Sequence, residues 1–291
     1  MSEIVYLNGS LLPINEARIS PVDYGFLYGF GLFETIRAYD GKVPFLDKHL
    51  SRLARSAETM GLPATILDIG KAVMDTLRAN KLNNARIRIT VSAGEGGIVP
   101  DQAGGISPTV LVTAVPYQPY PEQTYAKGFK AVVSSIRRNS QSLLSGIKST
   151  NYLESMLARQ EAKAAGVDEA IFLNERDLVA EAAMSNIFLV ADGILKTPRL
   201  GNGILPGITR EIIMELAPKL GIETVAEDIW LGELFEAQEA FLTNSLIEVM
   251  PLTRVAGKSI ASGKLGPITR KLSAAYRELV KACPVLDTGT I

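Results

Sequence analysis

Thiols and imidazoles are almost missing from this chain: its 291 residues contain one cysteine, Cys283, and one histidine, His49. A single cysteine excludes an intrachain disulfide framework. One His and one Cys also argue against a zinc site of the usual ligands. No carboxylate spacing suggests magnesium or calcium, so no metal is expected. An excess of one charge is missing too. The formal net charge is −1 and no long basic run occurs, which argues against nucleic acid as the main partner. No run is apolar enough to span a bilayer, and no basic-then-apolar leader opens the sequence. The expectation is a cytoplasmic protein with no membrane partner. Internal repeats and low-complexity tracts are also absent.

Hydrophobic residues make up 47% of the chain and charged ones 21%. That is enough apolar surface for a sizeable core, and the length allows two domains. Ile4 to Leu12 reads as a hairpin turning at Asn8-Gly9. Tyr24 to Tyr39 begins with glycines among aromatics and ends as a strand, and Asp40-Gly41 turns it back into Val43 to Leu46. Asp47 to Met60 is an amphipathic helix ended by Gly61, and Thr65 to Asn80 is another. Ala85 to Ser92 alternates as a half-buried strand. Arg86 and Arg88 share one of its faces, where two guanidiniums suit a carboxylate or simply meet solvent. Gly94 to Ser107 is a glycine-rich loop, and Thr109 to Val115 a strand. Three prolines in Pro116–Pro121 mark a stiff linker. The expected domains are 1–118 and 124–291, with 119–123 between them.

Beyond the linker, Phe129 to Ser135 is a strand leading to Ser145-Gly-Ile-Lys-Ser-Thr-Asn-Tyr-Leu-Glu154. Asn151 and Glu154 form a capping-box pattern, and Leu153, Met156 and Leu157 repeat at helical spacing up to Gly166. Lys148 thus stands just before a helix. It is either a surface lysine or an amine nucleophile toward a carbonyl. Strands follow at 169–173, 178–183, 186–190 and 194–197. A helix runs through Leu220, further strands lie at 239–243 and 248–251, and a closing helix spans 266–281. The mixture of hairpins and helices predicts an α+β fold. Glu181 lies in an otherwise apolar strand and needs a cationic partner, a pyridinium nitrogen or an arginine such as Arg210. Pro206-Gly207-Ile208-Thr209 opens a helix whose free N–H groups suit phosphate, or is only a cap. Thr243-Asn-Ser-Leu246 offers turn donors to an anion, or is a plain Asx turn.

Six short patterns stand in order. They are Tyr28-Gly-x-Gly-x-Phe33-Glu34, His49-x-x-Arg52-Leu53, Lys148-x-x-Asn151-Tyr152-Leu153, Glu181-x-x-x-x-Asn186, Gly203-Ile-x-x-Gly207-Ile208-Thr209-Arg210 and Thr243-Asn244-Ser245. Together they span nearly the whole chain and resemble the class IV, or fold type IV, pyridoxal 5'-phosphate enzymes. The resemblance implies a smaller N-terminal and a larger C-terminal α+β domain with the cofactor between them, and a homodimer acting on small amino and oxo acids. It implies that Lys148 bonds the cofactor aldehyde and carries protons. Glu181 would keep the pyridine nitrogen protonated, and Tyr152 would meet the ring 3-oxygen. Arg52, Ile208, Thr209 and Ser245 would hold the phosphate. Tyr28, Phe33, Glu34, Thr35 and Arg88 would line the substrate pocket, and the N–H groups of Leu246 and Ile247 would meet a substrate carboxylate.

Within that family, Phe33-Glu34 and Arg88 are similar to branched-chain aminotransferases. Three departures are Thr35 for a glycine, Arg86-Ile-Arg-Ile89 for Tyr-Val/Ile-Arg-Pro, and Asn244-Ser-Leu-Ile247 for Gly-Thr-Ala-Ala. The Phe-Glu-Thr-x-Arg and Thr-Asn-Ser patterns are similar to aminodeoxychorismate lyases, with Thr35 near a proton-donor position and Arg86 beside a second carboxylate. The first expectation is a transaminase joining an L-amino acid, branched-chain or otherwise apolar, to 2-oxoglutarate. The alternative is a lyase forming 4-aminobenzoate and pyruvate. A D-amino-acid aminotransferase is less supported, since residues 86–92 do not match that group's carboxylate trap.

Overall fold

The computed structural model describes residues 3–62, 68–96 and 107–284. The chain divides into two compact units. One holds residues 1–118, 147–151 and 282–291, and the other holds 119–146 and 152–281. The sequence reading runs a second domain unbroken from 124. The structure instead returns 147–151 to the first unit, because that segment hydrogen-bonds onto one of its strands.

The first unit opens with β1 (Ile4–Leu7) and β2 (Ser10–Pro13), followed by α1 (Tyr24–Tyr28), β3 (Gly31–Ala38), α2 (Leu46–Thr59), α3 (Ile69–Ala79), β4 (Ala85–Ser92) and β5 (Thr109–Pro116). Its five strands lie in the order β2-β1-β5-β4-β3, and every neighbouring pair is antiparallel. Asn8 and Gly9 both take positive φ, 48° and 98°, which a two-residue hairpin turn requires. Alternation along β4 buries Ala85, Ile87, Ile89 and Val91 completely while Arg86 and Arg88 stay exposed. Leu53 and Ala57 of α2 and Val73 and Leu77 of α3 join that buried face in one apolar cluster. Each such aliphatic side chain contributes about 1.5–3 kcal/mol on burial.

One open stretch is resolved here and one local expectation is corrected. The glycine-aromatic half of 24–39 is a short helix, α1, because the Asp23 carboxylate accepts the Gly25 N–H at 2.7 Å and caps it. Residues 43–46 are not a returning strand. Only Tyr39 and Lys42 pair, and Phe45 at φ 60° redirects the chain into α2. The helix expected from Thr65 is described from Ile69, with 65–67 outside the described residues. Most of the glycine-rich loop, 97–106, also lies outside them.

The second unit contains α4 (Glu122–Lys127), β6 (Phe129–Arg138), α5 (Leu153–Ala164), β7 (Glu169–Asn174), β8 (Val179–Ala182), β9 (Asn186–Ala191), β10 (Ile194–Pro198), α6 (Ile208–Lys219), β11 (Thr224–Glu227), α7 (Leu231–Glu236), β12 (Glu239–Asn244), β13 (Glu248–Val255), β14 (Lys258–Ser259) and α8 (Pro267–Ala282). Its sheet runs β11-β10-β9-β12-β13-β6-β7-β8, with β14 paired to β13. β6 is parallel to both neighbours and β10 is parallel to β11; the other pairs are antiparallel. Phe188 and Phe241 stack at 4.9 Å between ring centroids in its interior. Segments α4, β11 and α7 have four to six residues, too short to show a period in the sequence.

Helix α5 reverses the expected inside and outside. Leu153, Met156 and Leu157 are exposed at 69%, 49% and 41%, and the buried residues are Ser155, Ala158 and Ala162. Small residues let the helix lie close to the sheet, so a run of large apolar ones is left outward. The capping box is also absent. Asn151 donates to the Gly29 carbonyl, Glu154 pairs with Arg138, and the N-cap is Tyr152 with no side-chain cap bond. Among the described residues no helix is long and apolar enough to cross a membrane.

The start of α8 is held by the buried Glu239. Its carboxylate accepts the Ile268 N–H at 2.9 Å, the Thr269 N–H at 2.8 Å and the Thr269 hydroxyl at 2.7 Å. Replacing one carboxylate oxygen by an amide sets a donor against those donors. Glu239→Gln is expected to cost about 1–3 kcal/mol, read as a lower urea midpoint with secondary structure otherwise kept.

Candidate active site

In the first unit, strand β3 carries two kinds of side chain on its two faces. Leu32, Ile36 and Ala38 enter the apolar cluster, and the alternation places Glu34 among them. Its carboxylate is 1% exposed. A charge there must be paired or neutralised. Arg52 of α2 supplies the pair, Nε to Oε1 at 2.8 Å and Nη2 to Oε2 at 2.6 Å, and the His49 Nδ1 lies 2.7 Å from Oε2. Burial by itself raises the Glu34 carboxyl, but the Arg52 charge and His49 outweigh it and bring it down to about 2. Burial lowers His49, against the pull of Glu34. An ionised carboxylate only accepts, so His49 donates from Nδ1. Glu34 was expected to line a substrate pocket. It instead anchors Arg52 and His49, since its place on the strand turns it inward.

The opposite face of β3 carries Phe33, Thr35 and Arg37. Across from them on β4 stand Thr90, Arg88 and Arg86. Lys148 reaches this face because its segment runs along the sheet-edge strand β3. The Phe33 N–H donates to the Lys148 carbonyl at 2.9 Å, and the Thr150 N–H donates to Gly31 at 2.8 Å. The Thr150 hydroxyl and the Asn151 amide both donate to Gly29 at 2.8 Å. Gly31 admits this approach: a Cβ there would stand 2.9 Å from the Val91 carbonyl and 3.1 Å from the Thr150 hydroxyl. The Lys148 Nζ lies 4.5 Å from the Phe33 ring centroid, and the Arg88 guanidinium 4.0 Å from the same centroid. Lys148, Phe33, Thr35 and Arg88 are therefore brought together on one face. Tyr28 is half exposed at the end of α1, edge-on to Tyr24.

In the second unit Glu181 is buried, and its ion-pair partner is Arg138 at 3.2 Å. The sequence offered Arg210 for that role. Arg210 donates instead to the Pro198 carbonyl and the Thr197 hydroxyl, at 3.0 and 3.3 Å. The other oxygen of Glu181 accepts the Leu205 N–H at 3.0 Å and the Asn186 amide at 3.2 Å. Tyr152 donates its hydroxyl to the Ala183 carbonyl at 3.2 Å. Burial, and then the Glu181 charge, push its phenol up to about 12. It stays protonated as a donor across the working pH range.

Helix α6 begins at Ile208 and Thr209, both buried, with Gly207 as an N-cap that offers no side-chain bond. A Cβ on Gly207 would overlap the Asn186 side-chain oxygen at 1.9 Å. Asn186 also pairs in register with Thr243 of β12. Asn186 thus ties Glu181, the helix start and Thr243 into one group. The Thr243 hydroxyl is buried and has no hydrogen-bond partner among the described residues. Ser245 is half-buried in the turn that follows. The Leu246 and Ile247 N–H groups, expected to meet a substrate carboxylate, are occupied. Both donate to the Asn244 side-chain oxygen, at 2.8 and 2.9 Å. An asparagine supplies this Asx turn from within, where the glycine of the branched-chain pattern has no side chain to do so.

Sequence reasoning assigned no role to Arg138, Asn186 or His49, and left Thr243-Asn244 between an anion site and an Asx turn; the structure has the Asx turn. Asn186 and His49 stood inside the quoted patterns and could have been found there. Arg138 carried no signal, because its contact with Glu181 joins strands that only the sheet brings together.

Glu34→Gln leaves Arg52 buried with half its partner. The expected loss is about 3–5 kcal/mol, measured by urea unfolding at pH 7. A carboxyl held at about 2 in the fold, against an ordinary 4.5, stabilises fully above 4.5 and loses that contribution as pH falls toward 2. The wild-type protein is expected to lose stability through that window by an increment that Glu34→Gln lacks.

Residues 31–255 match the family model described as amino-transferase class IV. A putative branched-chain-amino-acid aminotransferase of Methanocaldococcus jannaschii is 39% identical, over 94% of this chain and 96% of its own. An aminodeoxychorismate lyase of Bacillus subtilis is 35% identical, over 96% and 95%. Among solved structures, a branched-chain amino acid aminotransferase of Escherichia coli superposes with a TM-score of 0.92. It is 30% identical and covers 100% of this chain and 98% of its own. The fold is therefore type IV, and the chain belongs to the class IV aminotransferase family of enzymes.

Proposed function

We propose that the chain is a pyridoxal 5'-phosphate-dependent transaminase of the cytoplasm. It moves an amino group between an L-amino acid, branched-chain or otherwise apolar, and 2-oxoglutarate. The observation that carries the reading is the buried Glu181. Arg138 pairs with it, and Asn186 and the Leu205 N–H donate to it, which holds in place an acid of the kind a ring N–H needs opposite it. The uncapped start of α6 and the unpartnered Thr243 hydroxyl fit a phosphate group.

When bound, the cofactor supplies an aldehyde that receives the amino group and a protonated ring that draws electrons from the substrate Cα. Lys148 would hold the cofactor at its aldehyde through Nζ and would carry the proton that leaves the substrate Cα. Glu181 holds the proton on the ring nitrogen. Tyr152, kept neutral, would turn its one O–H from the Ala183 carbonyl to the ring 3-oxygen when the cofactor binds. The Ile208 and Thr209 N–H groups and the hydroxyls of Thr209, Thr243 and Ser245 would hold the phosphate, and Arg52 would contribute a charge to it. Glu34 supports this from behind: it takes Nε and Nη2 of Arg52 and fixes the guanidinium plane. Tyr28, Phe33, Thr35 and Arg88 shape the substrate side.

One observation favours the lyase as a second reading. Asn244 fills the two turn donors that an amino acid's carboxylate would use, so its carboxylates fall to the arginine face. A homodimer is part of the proposal. Phe26, Leu27 and Tyr28 of the first unit and Leu153, Met156 and Leu157 of the second are exposed, which suits burial against a second copy.

Adding L-leucine or L-alanine to the yellow protein is expected to convert its absorbance to that of the pyridoxamine form. No half-reaction with any amino acid, together with 4-aminobenzoate from aminodeoxychorismate, replaces the transaminase by the lyase. Lys148→Ala is expected to abolish the half-reaction, and Glu181→Gln to slow it by about 10²-fold or more. Sedimentation is expected to give twice the 31.3 kDa chain mass; a monomer at micromolar concentration removes the dimer.

A further inference from the structure

Strand β12 is tied to helix α8 at its start and again just past its end. At the start, the Glu239 carboxylate accepts the first N–H groups of the helix. Past the end, Nε of Arg277 on α8 donates to the Glu248 carboxylate at 3.0 Å. Glu248 closes the turn that Asn244 opens. It is buried and sits at φ 58°, a left-handed backbone that L side chains rarely adopt. Such a conformation persists only where its surroundings hold it. Arg277 is itself fixed. Its guanidinium lies over the buried Tyr125 ring, 4.8 Å from the centroid, and Nη1 donates to Glu122 at 3.0 Å. The Tyr125 hydroxyl donates to the Ile247 carbonyl at 3.3 Å. One face of the turn is therefore gripped at two successive residues, by Tyr125 and by the guanidinium over the same ring. From within, Asn244 takes the Leu246 and Ile247 N–H groups and donates to the Met184 carbonyl at 3.0 Å. Thr243 and Ser245 stand on the piece of chain that these contacts fix.

We propose that Arg277 is a positioning residue: through Glu248 and Tyr125 it fixes the 243–247 turn so that the Thr243 and Ser245 hydroxyls meet a phosphate group. This rests on the reading that the cofactor's phosphate lies at that turn. Arg277 does not touch the anion; its guanidinium is taken by two carboxylates, Glu248 and Glu122. Its effect passes through geometry. A hydroxyl hydrogen bond weakens steeply away from its best distance and angle. Releasing Glu248 lets its backbone relax from φ 58°, and the turn residues move with it. Affinity for the phosphate falls, while contacts to the ring are left alone. A positioning role and a direct charge effect give opposite signs at Glu248. Removing a negative charge near an anion tightens the anion, whereas freeing the turn loosens it.

The test compares uptake of pyridoxal 5'-phosphate with uptake of pyridoxal, which lacks the phosphate, by the full chain, read by absorbance. Hydrogen exchange of the 243–250 segment is followed in parallel. The proteins are wild type, Arg277→Met, Arg277→Lys, Glu248→Gln and Glu122→Gln. Arg277→Met and Glu248→Gln are each expected to weaken pyridoxal 5'-phosphate by at least about fivefold and pyridoxal by less than about twofold. Both are expected to speed exchange at the Leu246 and Ile247 amides. Arg277→Lys restores part of the loss, and Glu122→Gln, at an exposed carboxylate, stays near wild type. Unchanged exchange, equal weakening of the two compounds, or tighter pyridoxal 5'-phosphate in Glu248→Gln overturns the assignment. Faster exchange with phosphate affinity unchanged overturns it too, since the turn is then held for another reason. A wild-type chain that takes up neither compound removes the functional reading and the phosphate with it; exchange alone then decides whether Arg277 holds the turn.

Discussion

A carboxylate inside an apolar sheet face must be neutralised where it stands, and Glu34 sets that condition for the first unit. Its place between Leu32 and Ile36 on β3 leaves it no solvent. Arg52 and His49 therefore have to come from α2 at the right height, three residues apart on one helical face. Helix and strand are locked in register by a charge pair rather than by packing alone. The same alternation then decides the other face. With Glu34 inward, Phe33 and Thr35 must point outward, and Lys148 and Arg88 meet over the Phe33 ring. One inward charge on a period of two orders both the buried network and the cation-aromatic group on the opposite face.

In the second unit the equivalent part is played by a neutral side chain. Asn186 can give and accept at once. Its amide donates to Glu181 and to the Leu205 carbonyl, while its oxygen closes on Gly207. A buried acid, a helix start and, through strand pairing, Thr243 are held in one group without adding a charge. Glu181 is paired by Arg138 and accepts a backbone N–H, and burial, then the same acid, pushes the phenol of Tyr152 toward its protonated form. Asn244 acts in the opposite sense on the next turn: it consumes donors that the chain would otherwise present outward.

Periodicity in the chain was enough to draw most long elements. The charged-apolar alternation of 85–92 and the helical stripe of 47–60 leave little choice, because each needs one buried face. Short elements were not legible: α4, β11 and α7 span about a turn or a strand pairing each. Helix α5 misled for a different reason. Its large apolar residues mimic a core stripe, whereas closeness to the sheet selects Ser155, Ala158 and Ala162 for the inside.

For the site, the residue order alone determined the family to which the chain belongs and which short patterns are its candidates. Lys148, Glu181, Tyr152 and the 207–209 helix start are local patterns, readable without a fold. Tertiary structure alone decided which partner each one has. Glu181 meets Arg138 and not Arg210, Glu34 turns inward to Arg52 and His49, and the Leu246 and Ile247 N–H groups are spent on Asn244. The division has a physical cause. Helix and strand periods are set by neighbours a few residues apart, whereas an ion pair is chosen by which strands the sheet lays side by side and by which face each residue is given.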